Sequence, residues 1–235
     1  MQKDIIIVEN FYAEPLKVRE YALNELKNNS YLPYNIPNTS QQWKATKTKK
    51  WNECPFKGSE SLVKNLENVI GEKIDIENWR LDYPEHGSTE DNLHSTRFNK
   101  SAKWNCAFHL KPVINQKLGD GIHNHVTDVW NGVGADGWVG LIYLNPSAPK
   151  DTGLFLWGNV KKNKNYEWMT DSKNWILIDS LGAVFNRLIL CRGKMPHSGA
   201  DGFANEDENG RLYQTFFLKT IENTRLTFES TNILI

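Results

Sequence analysis

Hydrophobic and polar positions fall into two textures along this chain. Ile5 to Val8 is a short β-branched run, read as a strand. Glu14-Pro15 opens a helix with proline in its first turn, and Leu16, Val18, Tyr21, Ala22, Leu23 and Leu26 carry helical spacing to about Lys27. A second helix is expected from Ser59 to Ile70, with Leu62, Val63, Leu66, Val69 and Ile70 on one face and Gly71 as its C-cap. Residues 28–58, rich in Asn, Pro, Thr, Lys and Gln, read as a long irregular segment. After Ile74 short apolar runs recur between turn residues, at 79–81, 104–110, 138–144, 153–157, 175–178, 187–191 and 212–218. Many short strands with loops between them predict a β-sandwich or jelly roll, and two early helices predict braces on the outside of one sheet. The fold class expected is therefore mainly β with flanking helices (α+β). One domain spans 1–235: an N-terminal strand and supporting helices over 1–75, a jelly-roll core over 76–220 and a C-terminal extension over 221–235.

Composition narrows the partners. Lys+Arg and Asp+Glu both number 28, so a basic surplus for nucleic acid is lacking. The one basic cluster, residues 44–50, reads as a solvated loop. No apolar run reaches membrane-spanning length, and the start is too short and polar for a signal peptide. Cys54, Cys106 and Cys191 share no CxxC spacing, which fits a reducing cytoplasm better than a disulfide framework.

The chemistry concentrates in two places. His123-Asn124-His125 with Asp128 groups three potential metal ligands, and His197 supplies a fourth after a predicted strand. Two histidines and one carboxylate can occupy one face of an octahedral Fe(II), leaving positions for a chelating co-substrate and O2. Two ligand sets compete. His125, Asp128 and His197 form the two-histidine, one-carboxylate face and are favoured, because a carboxylate lowers the charge of the site; a bulge would bring His125 and Asp128 together. His123, an alternate ligand, would instead complete an all-histidine face with His125 and His197, leaving Asp128 to orient a ring N–H. Arg211 opens the last apolar strand and offers a planar fork to a carboxylate, which points to 2-oxoglutarate. His86, His94 and His109 read as ordinary histidines. Residues 130–137 are glycine-rich, lack the lysine of a phosphate loop, and read either as a mobile loop over the metal or as a plain connector. Trp130, Trp138 and Trp157 are candidates for a substrate pocket, with the core the commoner place for such residues.

The series His/Asp, Leu141-Ile142-Tyr143-Leu144-Asn145-Pro146, Gly153-Leu154-Phe155-Leu156-Trp157, Asn186-Arg187-Leu188-Ile189, His197-Ser198-Gly199 and Arg211-Leu212-Tyr213-Gln214-Thr215-Phe216-Phe217 resembles the Fe(II)/2-oxoglutarate-dependent oxygenases. Within them it is most similar to the prolyl-hydroxylase-like branch, and the opening residues 8–23 are similar to small bacterial and phage members. The resemblance implies a double-stranded β-helix (cupin-like jelly-roll) core and a dioxygenase, a hydroxylase of a small molecule or protein side chain, giving succinate and CO2. Its implied cofactors are Fe(II), 2-oxoglutarate as co-substrate, and O2. His125 and Asp128 match the proximal ligands, His197 the distal one, and Arg211 the residue that pairs with the far carboxylate. Tyr143, Thr215 and Ser198 are implied polar neighbours of the co-substrate. Two departures stand out: His-x-x-Asp replaces His-x-Asp, and the stretch between His197 and Arg211 is longer, as if residues 200–210 were an inserted hairpin loop. A different class of reading is a non-catalytic lectin-like or cupin-like binding module, which nine tryptophans would suit.

Overall fold

The computed structural model describes residues 4–28, 31–35, 42–46, 54–80, 105–126, 133–159, 174–206 and 208–225, with the backbone alone at 31–35, 42–46, 159 and 222–225. Among these, strands β1 (Ile5–Val8), β9 (Leu188–Arg192), β6 (Trp138–Tyr143), β11 (Arg211–Leu218), β5 (Phe108–Lys111), β3 (Gln42–Thr46) and β2 (Tyr31–Asn35) lie side by side in that order as one antiparallel sheet. A shorter antiparallel sheet runs β10 (His197–Gly199), β7 (Leu154–Asn159), β8 (Trp175–Leu181). β12 (Thr220–Arg225) pairs with β4 (Glu72–Ile74) beside them.

The two faces of the large sheet are built differently. On β11 the even positions Leu212, Gln214, Phe216 and Leu218 are fully buried, while Tyr213, Thr215 and Phe217 are half-buried. Leu212, Phe216 and Leu218 join Phe108, Leu110, Trp138, Ile142, Leu188 and Leu190 in a core closed by helices α1 (Pro15–Lys27) and α2 (Glu60–Ile70). The two helices thus brace the sheet from outside, as the periodicity predicts. α2 begins where the Ser59 hydroxyl accepts a hydrogen bond from Leu62 N and ends at Gly71 in the left-handed conformation at φ 72°. The opposite face packs Leu141, Tyr143 and Ile189 against Leu154, Leu156 and Leu181 of the smaller sheet. This is a two-layer jelly roll with helices on one side, the fold class expected.

Two local expectations are corrected. The segment 28–58 is not wholly irregular, because residues 31–35 and 42–46 pair as a hairpin. Pro33 is tolerated because β2 is the outermost strand, where a missing N–H costs no ladder bond. Trp79 and Arg80 do not begin a strand: they belong to a short helix, α3 (Ile76–Arg80). Asp75 caps it, its carboxylate accepting from Asn78 N at 3.0 Å, and a local cap overrides the β-propensity of a lone tryptophan. Residues 81–104, which hold His86 and His94, and Asp128 and Trp130 lie outside the described residues.

Leu66 is fully buried where α2 meets the sheet. Leu66→Ala is expected to destabilise the protein by about 2–5 kcal/mol, read as a lower urea midpoint at constant m-value. An unchanged midpoint would mean that α2 does not hold the sheet.

Candidate metal centre

Three imidazoles converge at one end of the sandwich. His123 and His197 exchange both backbone hydrogen bonds, His123 N to His197 O at 3.0 Å and His197 N to His123 O at 2.9 Å, as an isolated antiparallel bridge. Residues paired in this way stand directly opposite, so their side chains leave the backbone on one side. Their rings lie 4.5 Å apart between centroids. His125 is two residues beyond His123, with its N–H bound to Gly193 O at 2.7 Å, and its ring comes within 5.0 Å of His123 and 5.3 Å of His197. One nitrogen from each of the three lies within 4.8 Å of the others. Sharing one ion at imidazole–metal bonds of about 2.1 Å would draw these nitrogens within about 4.2 Å of one another.

The rings are oriented as ligands need to be. His123 Nδ1 lies 2.8 Å from Gly121 O, and His197 Nδ1 lies 2.8 Å from Met195 O. A carbonyl only accepts, so each Nδ1 carries the proton and each Nε2 keeps its lone pair. Burial holds His197 down to about 3, and burial together with His197 and His125 holds His123 well below the ordinary imidazole range. Both rings are thus neutral at pH 7, the form that binds a metal. Phe217 meets His125 edge-to-face, and the Cys191 sulfur lies 4.0 Å from His197 Nδ1.

Arg211 faces the same strand, β10. Its guanidinium is 1% exposed and is fixed by Nε to Thr152 O at 2.9 Å and Nη2 to Gly153 O at 3.0 Å. It lies over the rings of Tyr213, at 4.7 Å, and Tyr143, at 5.7 Å. Among the described residues no carboxylate forms an ion pair with it. A Cβ added to Gly199, two residues along β10 from His197, would stand 3.4 Å from Arg211 Nη2. That is about 7 Å of strand from the imidazoles, within reach of a short dicarboxylate. The Tyr143 hydroxyl is buried with no hydrogen-bond partner among the described residues, and burial pushes it up to about 12. A buried donor left open beside a guanidinium fits the far carboxylate of 2-oxoglutarate, so the residues present suit both metal and co-substrate.

Of the residues singled out by sequence, His123, His125 and His197 are brought together, with Arg211 and Tyr143 nearby. Thr215 shares their face of the sheet but bonds His109, at 3.0 Å from Oγ1 to Nε2. Ser198 is not among them: it alternates to the far face of β10, where its hydroxyl accepts from Trp157 Nε1 at 2.9 Å. Trp157 and Trp138 are buried core residues. Residues 133–137 form a strapped connector where described, with Gly193 N bound to Gly137 O and Lys194 N to Ala135 O. Lys111 and Tyr213, not singled out by sequence, lie beside Arg211; His109, expected to be an ordinary strand histidine, lies in β5 and stacks on Tyr213 at 5.1 Å. The available signal was the i, i+2 pair His109 and Lys111 in an otherwise apolar strand.

No protein-family model matches this sequence, and no curated protein does. Solved structures do. EctD from S. alaskensis, with 2-oxoglutarate and 5-hydroxyectoine, is 11% identical and superposes at a TM-score of 0.52 over 97% of this chain and 77% of its own. A prolyl hydroxylase from Trichoplax adhaerens, in complex with a hypoxia inducible factor peptide, is 15% identical at 0.46 over 92% and 84%. An oxidoreductase of the 2OG-Fe(II) oxygenase family from Burkholderia pseudomallei is 9% identical at 0.45 over 96% and 89%.

His109, held near 3 by burial and by Arg211, links stability to pH. Its folded value is below the unfolded one of about 6.5, so its share of stability is complete above that pH. It is lost as pH falls toward 3, by up to about 1.4 kcal/mol per pH unit. His109→Asn is expected to flatten the acid limb in urea titrations between pH 7 and 4; an unaltered slope would mean that His109 is protonated in the native state. By architecture, with EctD as the superposition that carries the comparison, the chain has the double-stranded β-helix fold of the Fe(II)/2-oxoglutarate oxygenases.

Proposed function

We propose that this protein is a non-heme Fe(II)- and 2-oxoglutarate-dependent dioxygenase, a hydroxylase of a small molecule or protein side chain. The observation that carries the reading is the meeting of three imidazoles with a buried guanidinium inside a double-stranded β-helix. His123, His125 and His197 hold the metal on one face. Asp128, three residues after His125, is the carboxylate alternative to His123 in that set. This exchanges the ligand set that sequence alone favours for its all-histidine alternative, and the support is the backbone bridge that ties His123 to His197. With three neutral ligands the metal keeps its full double charge, which favours an anionic chelator.

When bound, iron and the oxo acid supply O2 activation, with succinate and CO2 as co-products. The chain's own residues do the positioning. Arg211 clamps the far carboxylate through a charge-assisted pair and sets the register of the chelating end. Tyr143 donates its hydroxyl to the same carboxylate. Leu141, Leu156 and Ile189 pack with Tyr143 in one buried apolar cluster, which would keep water from its hydroxyl. No helix among the described residues is long and apolar enough to cross a membrane, and the cysteines, all free and buried, are in keeping with a cytoplasmic location.

The test is the visible absorption of anaerobic protein with Fe(II) and 2-oxoglutarate, together with metal analysis. Wild type is expected to form the band. His197→Ala and His123→Ala are expected to lose bound iron, and Asp128→Ala to retain most of it. Arg211→Met is expected to weaken 2-oxoglutarate about tenfold or more while leaving metal content unchanged. Full iron occupancy and turnover in His197→Ala would end the proposal, and loss of iron in Asp128→Ala with retention in His123→Ala would restore the carboxylate to the ligand set.

A further inference from the structure

The inner face of the large sheet carries a second buried cation. Lys111 stands directly opposite Arg211 in the β5–β11 ladder, so both side chains leave the sheet on the same side. Both are almost wholly buried, at 3% and 1% exposure. Like charges placed opposite each other are destabilising, and burial raises the cost. The influence is visible on Lys111: burial first, then Arg211, push its ammonium down to about 7, with Asp201 and Asp120 opposing.

The surroundings hold the pair in place rather than separating it. Lys111 Nζ donates to Gln116 Oε1. Gln116 Nε2 in turn donates to Gly199 O at 2.9 Å and Asp120 O at 3.0 Å, and its backbone N–H is bound by Asp201 Oδ2 at 3.0 Å. Gly199 is the residue that faces the Arg211 nitrogens. Lys111, Gln116, Gly199 and Arg211 therefore ring one spot, two residues of strand from His197, and the unpartnered Tyr143 hydroxyl belongs to the same hollow.

We infer that Lys111 is a second cationic anchor beside Arg211, and that the two together select an oxo acid carrying a second carboxylate. The inference rests on the reading above, in which the histidines hold a metal and Arg211 takes the far carboxylate. One guanidinium is enough to bind a monoanionic end. A second cation in a low-dielectric hollow multiplies the difference between a ligand that ends in a carboxylate and one that ends in a methyl. Lys111 touches the co-substrate end remote from the reacting atoms, so it acts on affinity and selectivity rather than on chemistry.

The experiment compares 2-oxoglutarate with 2-oxopentanoate, which has the same chelating end and no far carboxylate, by calorimetry on Mn(II)-loaded protein. Wild type is expected to prefer 2-oxoglutarate by about a hundredfold or more. Lys111→Met and Lys111→Gln are expected to narrow that preference about tenfold, through 2-oxoglutarate alone, with 2-oxopentanoate and Mn(II) affinities unchanged. Lys111→Arg is expected to restore most of it. Thermal melts separate an anchoring role from a structural one: without ligand the neutral variants are expected to melt no lower than wild type, and to gain less from 2-oxoglutarate. An undiminished preference in both neutral variants overturns the assignment of Lys111 while leaving the Arg211 reading intact. A wild type that does not distinguish the two acids overturns both.

Discussion

The site depends on a single pair of backbone hydrogen bonds. His123 and His197 are far apart in sequence, and what unites them is the exchange of N–H and C=O between the two residues themselves. A β-bridge of this kind leaves no freedom about which way the side chains point. Once it forms, the two imidazoles are neighbours, and His125, two residues on, follows by strand alternation. Carbonyls two residues back, at Gly121 and Met195, then fix the tautomers. Ligand geometry is thus set by main-chain rather than side-chain packing, which is the more rigid of the two supports.

The same alternation explains how the protein tolerates so much polarity inside a sandwich. The even positions of β11 carry the apolar burial against α1 and α2, and that core holds the sheet. The odd positions are thereby released from packing duty. They carry Arg211, Tyr213 and Thr215, opposite Lys111 and His109 on β5. The row shares its face with Leu141, Tyr143 and Ile189, which pack against the smaller sheet. The helices hold the other face, so the polar positions of β11 add to a sheet already anchored.

Much of this was legible in the sequence, and what was not has physical reasons. Both helices could be read to within a residue or two because their caps are local: Pro15 at the start of α1, Ser59 and Gly71 around α2. The long strands were legible from apolar runs. The hairpin at 31–46 was not, because its strands are polar and one contains proline, signals that dominate any short window. Trp79 was misread because a tryptophan beside apolar neighbours looks like a strand until the Asp75 cap is noticed. Arg211, His123, His125 and His197 were visible as residue types. The direction of Ser198 was not legible, since a three-residue strand gives no periodicity from which to tell inside from outside. Lys111 was hidden because burial of a lysine depends on its cross-strand partner, and no window in the sequence contains both.

The electrostatics of the two ends of the hollow are coupled by this arrangement. In the proposed all-histidine set the ligands would leave a divalent ion uncompensated at one end, and Arg211 with Lys111 stands at the other. Each end alone would accept a singly charged group. Held a short strand segment apart in a water-poor interior, they favour one small dianion over two separate monoanions, because a single molecule gives up its translational freedom once and meets both ends in register. On that reading, an all-histidine ligand set and the burial of Lys111 act in the same direction. Both would favour an anion held between them, and its binding would then stabilise the folded state.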